Sequence, residues 1–136
     1  MAKQTITTIV LILFLVHGVG HFQGIVTSLG IRTSSRSTSM SWLLRWLGNR
    51  PNRILCFILY LLPALGFIAA AMSFRGWVLP QSGWQDLALY SAFISMGGLA
   101  LFPNALAMLF NKIGALAVNV TTIVSLLGVY WPEKIF

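Results

Sequence analysis

Charge is what this sequence has least of. Asp, Glu, Lys and Arg make up 8% of its 136 residues, against about 25% in a soluble domain. Water is therefore not the solvent expected for most of its surface. Acid is scarcer still: Asp86 and Glu133 are the whole supply, which excludes a pair of neighbouring carboxylates for general acid–base work. The single cysteine, Cys56, excludes an intrachain disulfide and a tetra-cysteine metal site, and its apolar neighbours suit a small buried hydrophobe. Nucleotide-binding loops and Ser-His-Asp sets are missing as well.

What is abundant is apolar. Hydrophobic residues reach 57% and the mean hydropathy is +0.85. Four apolar segments, at about 5–30, 53–74, 84–110 and 112–131, are each long enough for the roughly 20 residues that a helix needs to cross a bilayer. The expected fold is an all-α integral membrane protein: one domain over residues 1–136, a four-transmembrane-helix bundle with a short amphipathic interfacial helix in the first loop. No length is left for a soluble catalytic domain.

The first segment opens with the unbroken run Ile9 to Val16 behind Lys3. No small-x-small cleavage site follows and the helical pattern continues to Leu29, so a retained helix is expected instead of a signal peptide. The Ser/Thr-rich stretch that follows gives way to Trp42, Leu43, Trp46 and Leu47 on one side of the interfacial helix, with Arg45 opposite and Gly48 and Pro51 ending it. In the second span Pro63 removes a backbone donor, which predicts a kink and a Leu59 carbonyl without its usual partner. Gly66, Ala70 and Ser73 form a small-residue face.

Trp77 and Trp84 suit an aromatic belt. Ser82 and Gln85 have the form of a capping box that starts the third span, with Asp86 in its first turn. Ala88, Ser91, Ser95 and Gly98 give another small face before Pro103 and Asn104, and the span ends near Phe110. Asn111 and Lys112 form a very short link. The fourth span then runs to about Tyr130 with Gly114, Thr121, Ser125 and Gly128 as its packing face, and Trp131–Pro132 ends it.

The net charge of +7 raises nucleic acid as a partner, and the positions of the charges argue against it. Arg32, Arg36, Arg45, Arg50 and Arg53 fall between two apolar segments, as in a loop facing anionic lipid. With Lys112 they place six cations on one side, against Lys3, Arg75 and Lys134 on the other. The positive-inside rule then puts both termini outside the cytoplasm of a multi-pass protein of the inner cell membrane.

Chemistry has few places to reside. His17 and His21 are four residues apart, so they share one helix face, which Gly20, Gly24 and Ser28 extend with a GxxxG step. Seven residues in from the cytoplasmic ends of the spans, about 10 Å deep, lie His21, Tyr60, Asn104 and Asn119, with Thr122 level with His17. Polar groups at that depth are functional candidates or a hydrogen-bonded cluster that fixes helix register. His17, His21, Tyr60, Asn104 and Asn119 are the candidate ligand-binding residues. Gly20, Gly24, Gly66, Ala70, Gly98, Gly114 and Gly128 are the candidate packing residues. One helix cannot place both histidines on opposite faces of one haem. A metal would need further ligands from Cys56, Asp86 or Glu133, and the two acids belong to the opposite membrane face, so no metal site is expected. The residues name no cofactor and no catalytic group.

The run HGVGHFQG, His17 to Gly24, and the run KIGALAVN, Lys112 to Asn119, together resemble a group of small, uncharacterised bacterial four-helix membrane proteins. In that group the first helix carries HGxxHxxG, and the last begins with a basic residue, a Gly two on and an Asn five further. His17, Gly18, His21, Gly24, Lys112, Gly114 and Asn119 carry the match. A more distant likeness is to DoxX-like four-helix proteins. The resemblance implies the helix layout and no particular activity.

Three functions stand open at this point. One is a binding module, with a His/Tyr/Asn pocket in the membrane for a lipophilic or quinone-like ligand. The second is a structural or accessory subunit of a homo-oligomer or larger membrane complex. The third is a small-solute carrier, with Pro63 and Pro103 as hinges and no inverted repeat.

Overall fold

The structure, a computed structural model, describes residues 2–129. Among them every regular element is helical, with no strand. Five α-helices follow one another: α1 Ala2–Gly20, α2 Phe22–Ser28, α3 Asn49–Phe74, α4 Trp84–Leu101 and α5 Leu109–Ile123. The last continues into a π turn, Val124–Gly128. Three stretches, Gln4–Ser28, Asn49–Phe74 and Leu109–Gly128, are long and apolar enough to cross a membrane. Contacts run from α1 and α2 to α3, from α3 to α4, from α4 to α5 and from α5 back to α1, closing a ring.

The first apolar segment is bent at one residue. At His21 the backbone N–H turns to the carbonyl three residues back, Gly18, at 3.2 Å, a tighter bond than an α-helix makes. The histidine face thus sits where α1 meets α2. In α3, Pro63 is inside an unbroken helix. The carbonyl whose donor it removes, Leu59, faces α4, where a Cβ on Gly98 would stand 3.2 Å from its oxygen. Glycine at 98 lets two backbones meet over the gap that proline opened.

Ala88, Ser91, Ser95 and Gly98 are all buried on α4. The α3–α4 seam joins two apolar cores. One gathers Phe14, Phe67, Phe74 and Trp84, and the other gathers Ile25, Cys56, Tyr60, Phe102 and Leu106. Burial of aromatic and aliphatic chains in lipid gains little from water exclusion, so close packing of small residues carries the association.

Several boundaries differ from expectation. The third helix ends at Leu101, not near Phe110, because the residue ahead of Pro103 is pushed out of the α region: Phe102 has φ −127° and ψ 57°. A 3-10 turn, Pro103–Ala105, and extended residues at Leu106 and Met108 follow. The link is therefore residues 102–108, and Asn111 and Lys112 belong to the start of α5.

The interfacial helix is reduced to one 3-10 turn, Arg45–Leu47. Side chains have taken the backbone bonds that a helix would use. Ser41 Oγ accepts from Leu43 N and Leu44 N, both at 3.2 Å. Asn52, fully buried, accepts from Ser41 N at 3.1 Å and donates to Leu44 O and Gly48 O at 2.8 Å each. Trp42 and Trp46 are nevertheless exposed, and Trp42 Nε1 donates to Ala100 O at 2.6 Å.

No capping box forms at Ser82. That serine lies within a 3-10 turn, Gln81–Gly83, and Gly83 is the N-cap without a side-chain bond. Asp86 is in the first turn of α4. On α5 the buried face is Ala115, Asn119 and Thr122, one residue around from the expected Gly114, Thr121, Ser125 and Gly128. Tyr130, Trp131, Pro132, Glu133 and Lys134 lie outside the described residues.

Candidate functional site

A small residue opposite a large one brings the first helix against α3. A Cβ on Gly24 would collide with the Tyr60 ring, reaching 2.7 Å from its Cε1. A Cβ on Gly18 would stand 3.0 Å from the carbonyl oxygen of Ala64. These contacts turn the His17/His21 face inward, where both rings are buried. The rings meet edge to face, with centroids 4.8 Å apart. Phe67 of α3 lies edge-on to His17 at 4.5 Å and stacks parallel to His21 at 6.2 Å.

Hydrogen bonds then join three helices. His17 Nε2 donates to Asn119 Oδ1 at 2.9 Å. Asn119 Nδ2 donates to Ser95 Oγ at 2.7 Å. Ser95 Oγ and His21 Nε2 are 3.1 Å apart. Donor and acceptor in that pair follow the His21 tautomer: Nε2 accepts from the hydroxyl when the ring carries its proton on Nδ1. Donation thus runs from His17 to Asn119 to Ser95, and His21 is the fourth member of the chain.

The bond to Asn119 Oδ1 puts a hydrogen on His17 Nε2, while His21 Nδ1 is left without a partner. That atom is the one buried side-chain N or O among the described residues with no hydrogen-bond partner in the protein. A buried polar atom left without a partner costs about 1–3 kcal/mol.

A cavity of about 200 Å³ lies between α1 and α5 at this point. His17 and His21 are on its wall with Asn111, and the rest of the wall is apolar, including Leu13, Leu106 and Phe110. Gly20 and Gly114 also line it, and a Cβ on either would meet nothing within 4 Å. These two glycines thus leave room here and make no close helix contact. A Cβ on Gly128 would make an ordinary contact with Val124 Cγ1 at 3.8 Å, while Gly24, Gly66 and Gly98 pack against Tyr60, Ser91 and Leu59. Ala70 is fully buried.

The remaining candidates are dispersed. Tyr60 sits beside His21, with ring centroids 5.7 Å apart, but its hydroxyl donates to Phe102 O at 3.1 Å. Asn104 is outside the cluster. With α4 ended at Leu101 it falls in the link, itself exposed, where Oδ1 accepts from Lys112 Nζ at 3.1 Å and its carbonyl accepts from Thr38 N at 2.9 Å. Thr122 is buried next to this region of α5.

Ser95 and Phe67 were not marked by the sequence as site residues. Ser95 fell among small packing residues, and a phenylalanine in an apolar helix carries no signal of its own. Among the described residues no group of three His, Cys, Asp or Glu side chains comes together. Comparison with protein-family models, curated proteins and solved structures finds no match for this chain.

Proposed function

We propose that this chain is a four-transmembrane-helix protein of the inner cell membrane that binds a lipophilic, quinone-like carbonyl compound in the cavity beside His17 and His21. The helix α4 is the fourth span: its 18 residues extend about 27 Å, and it completes the ring with the three more apolar spans. Its first turn carries Asp86 into the headgroup region, while Trp84 turns inward onto Phe14 and Phe74. Both termini lie outside the cytoplasm, following the arginines of the first loop.

The observation that carries the ligand is the unpartnered Nδ1 of His21, an imidazole only 2% exposed, in a side chain that lines a largely apolar cavity; with Ser95 as the donor to Nε2, this nitrogen carries the hydrogen that a ligand accepts. A quinone carbonyl is the complementary group, an acceptor on an apolar ring. An apolar cavity of about 150 Å³ holds benzene, so a space of this size accommodates a ring-sized head group while its tail lies among lipid chains. The resemblance to the bacterial four-helix proteins supports the same place. Three of its motif residues, His17, His21 and Gly114, line the cavity, and Asn119 bonds to His17 behind it.

The test is titration of a short-chain benzoquinone into the purified protein in detergent, followed by intrinsic tryptophan quenching against a tryptophan-only control. Saturable binding is expected, and Gly114→Leu should weaken it by at least about tenfold, equivalent to about 1.4 kcal/mol, with the unfolding midpoint kept. Binding of equal strength in wild type and Gly114→Leu would refute the site.

A second reading rests on the same two glycines. Gly20 and Gly114 leave a gap that a helix of another subunit also fits, which would make the chain a structural or accessory subunit. Cross-linking between copies through a cysteine at position 20 or 114, with no quinone binding, would favour it.

A further inference from the structure

Five arginines lie between residues 32 and 53, and the sequence has no acid before Asp86. Trp42 of this loop bonds to Ala100 near the end of α4, whereas Asp86 is in its first turn. Fourteen residues separate Asp86 from Ala100, about 21 Å along the helix. The described residues therefore offer these guanidinium groups no carboxylate, and their counter-charge has to come from outside them.

One of these cations is held in a defined place. Arg53 Nε donates to Ser28 O at 2.8 Å. The guanidinium also lies against Gly30, where a Cβ would stand 3.1 Å from Nη2 and where φ is +91°, a conformation that suits glycine. Ser37, buried, accepts from Thr33 N at 3.1 Å and Ser34 N at 3.2 Å and donates to Ser34 O at 2.8 Å. Thr27 Oγ1 donates to Ala105 O at 3.0 Å, tying α2 to the opposite link. Two cavities flank Arg53 and Asn49, which line both. One, about 460 Å³, is a cup with Arg32, Arg36 and serine and threonine hydroxyls on its wall. The other, about 480 Å³, is a slot with Leu29, Ile54 and Phe57 beside Arg50.

We infer that this double cavity is a binding site for an anionic phospholipid. The phosphate sits in the cup, where Arg32, Arg36 and Arg53 supply forked N–H donors that match its oxygens. One acyl chain lies along Leu29, Ile54 and Phe57. An inorganic phosphate would use the cup alone and leave the adjoining apolar slot unexplained; a phospholipid fills both. The assignment rests on the membrane placement proposed above but not on the histidine cavity.

The test uses the full-length protein in detergent micelles and compares retention of phosphatidylglycerol with that of phosphatidylcholine of the same chains, read by native mass spectrometry. Preferential retention of phosphatidylglycerol is expected. Arg53→Gln, and separately Arg32→Gln with Arg36→Gln, should weaken it by about fivefold per arginine. The second variant changes exposed side chains only, so it reports on the site even if Arg53→Gln unfolds the loop. Arg45→Gln, outside both cavities, and His21→Gln should leave retention unchanged, which separates this site from the histidine cavity. Equal retention of the two lipids would overturn the inference. So would an Arg45→Gln loss equal to that of Arg53→Gln, or displacement of the lipid by inorganic phosphate at equal concentration.

Discussion

The ring of Tyr60 occupies the space that any side chain at position 24 would need, so Gly24 and Tyr60 together set how closely the first helix approaches α3. Gly20, one turn earlier, faces open space. The GxxxG step therefore divides into a contact and a vacancy.

Alanine should tell the two glycines apart. Gly24→Ala forces the Tyr60 ring to shift and is expected to destabilise the protein by about 1–3 kcal/mol. Gly20→Ala should be neutral or slightly stabilising, because alanine is the better helix former. Reversible unfolding in SDS–detergent mixtures measures both; equal effects would contradict the packing described.

Asn119 connects His17 to Ser95, accepting from one and donating to the other. Asn119→Leu leaves the His17 N–H without its acceptor, and Ser95 Oγ without its donor. The expected loss is about 1–2 kcal/mol, the range for interhelical hydrogen bonds in membranes. Ser95→Ala removes the shared partner, so its combination with Asn119→Leu should cost less than the two single losses added. Strict additivity in the same unfolding assay would mean that the three groups do not act as a unit.

Asn52 holds the first loop through three hydrogen bonds. Asn52→Leu should leave the helices intact and release residues 41–48, which limited proteolysis would detect as faster cleavage in this segment. Unchanged cleavage would mean that the loop is held by other contacts.

Orientation is checked by reporter fusions. Alkaline phosphatase joined after residue 136 should be active, and the same enzyme inserted near Gly48 should be inactive. The reverse pattern would invert the placement of the arginine-rich loop.

How much of this was legible beforehand depended on whether a signal was local. The pairing of His17 with His21 followed from their spacing alone, and Asn119 from helix rise and depth. Asn104 was counted into the same layer by assuming that the third helix ran to Phe110. Pro103 ended the helix at Leu101, so the depth count failed at that point. Ser95 was visible as a small residue, but whether a serine packs or bonds depends on what faces it. The apolar spacing at Trp42–Leu47 suggests an amphipathic helix, but side chains of Ser41 and Asn52 bond the local backbone and only the turn Arg45–Leu47 forms. Gly20 and Gly114 read as packing residues because spacing cannot distinguish a surface that receives a neighbour from one that leaves a cavity.

Quinone binding at this site requires a hydrogen on His21 Nδ1. Nitrogen-15 NMR of the protein with labelled histidine, recorded with and without a short-chain benzoquinone, examines it directly. The expected spectrum has His17 protonated at Nε2 and His21 at Nδ1, with the His21 Nδ1 resonance shifting as quinone is added. Protonation of His21 at Nε2, or a His21 signal unmoved by quinone, would contradict it.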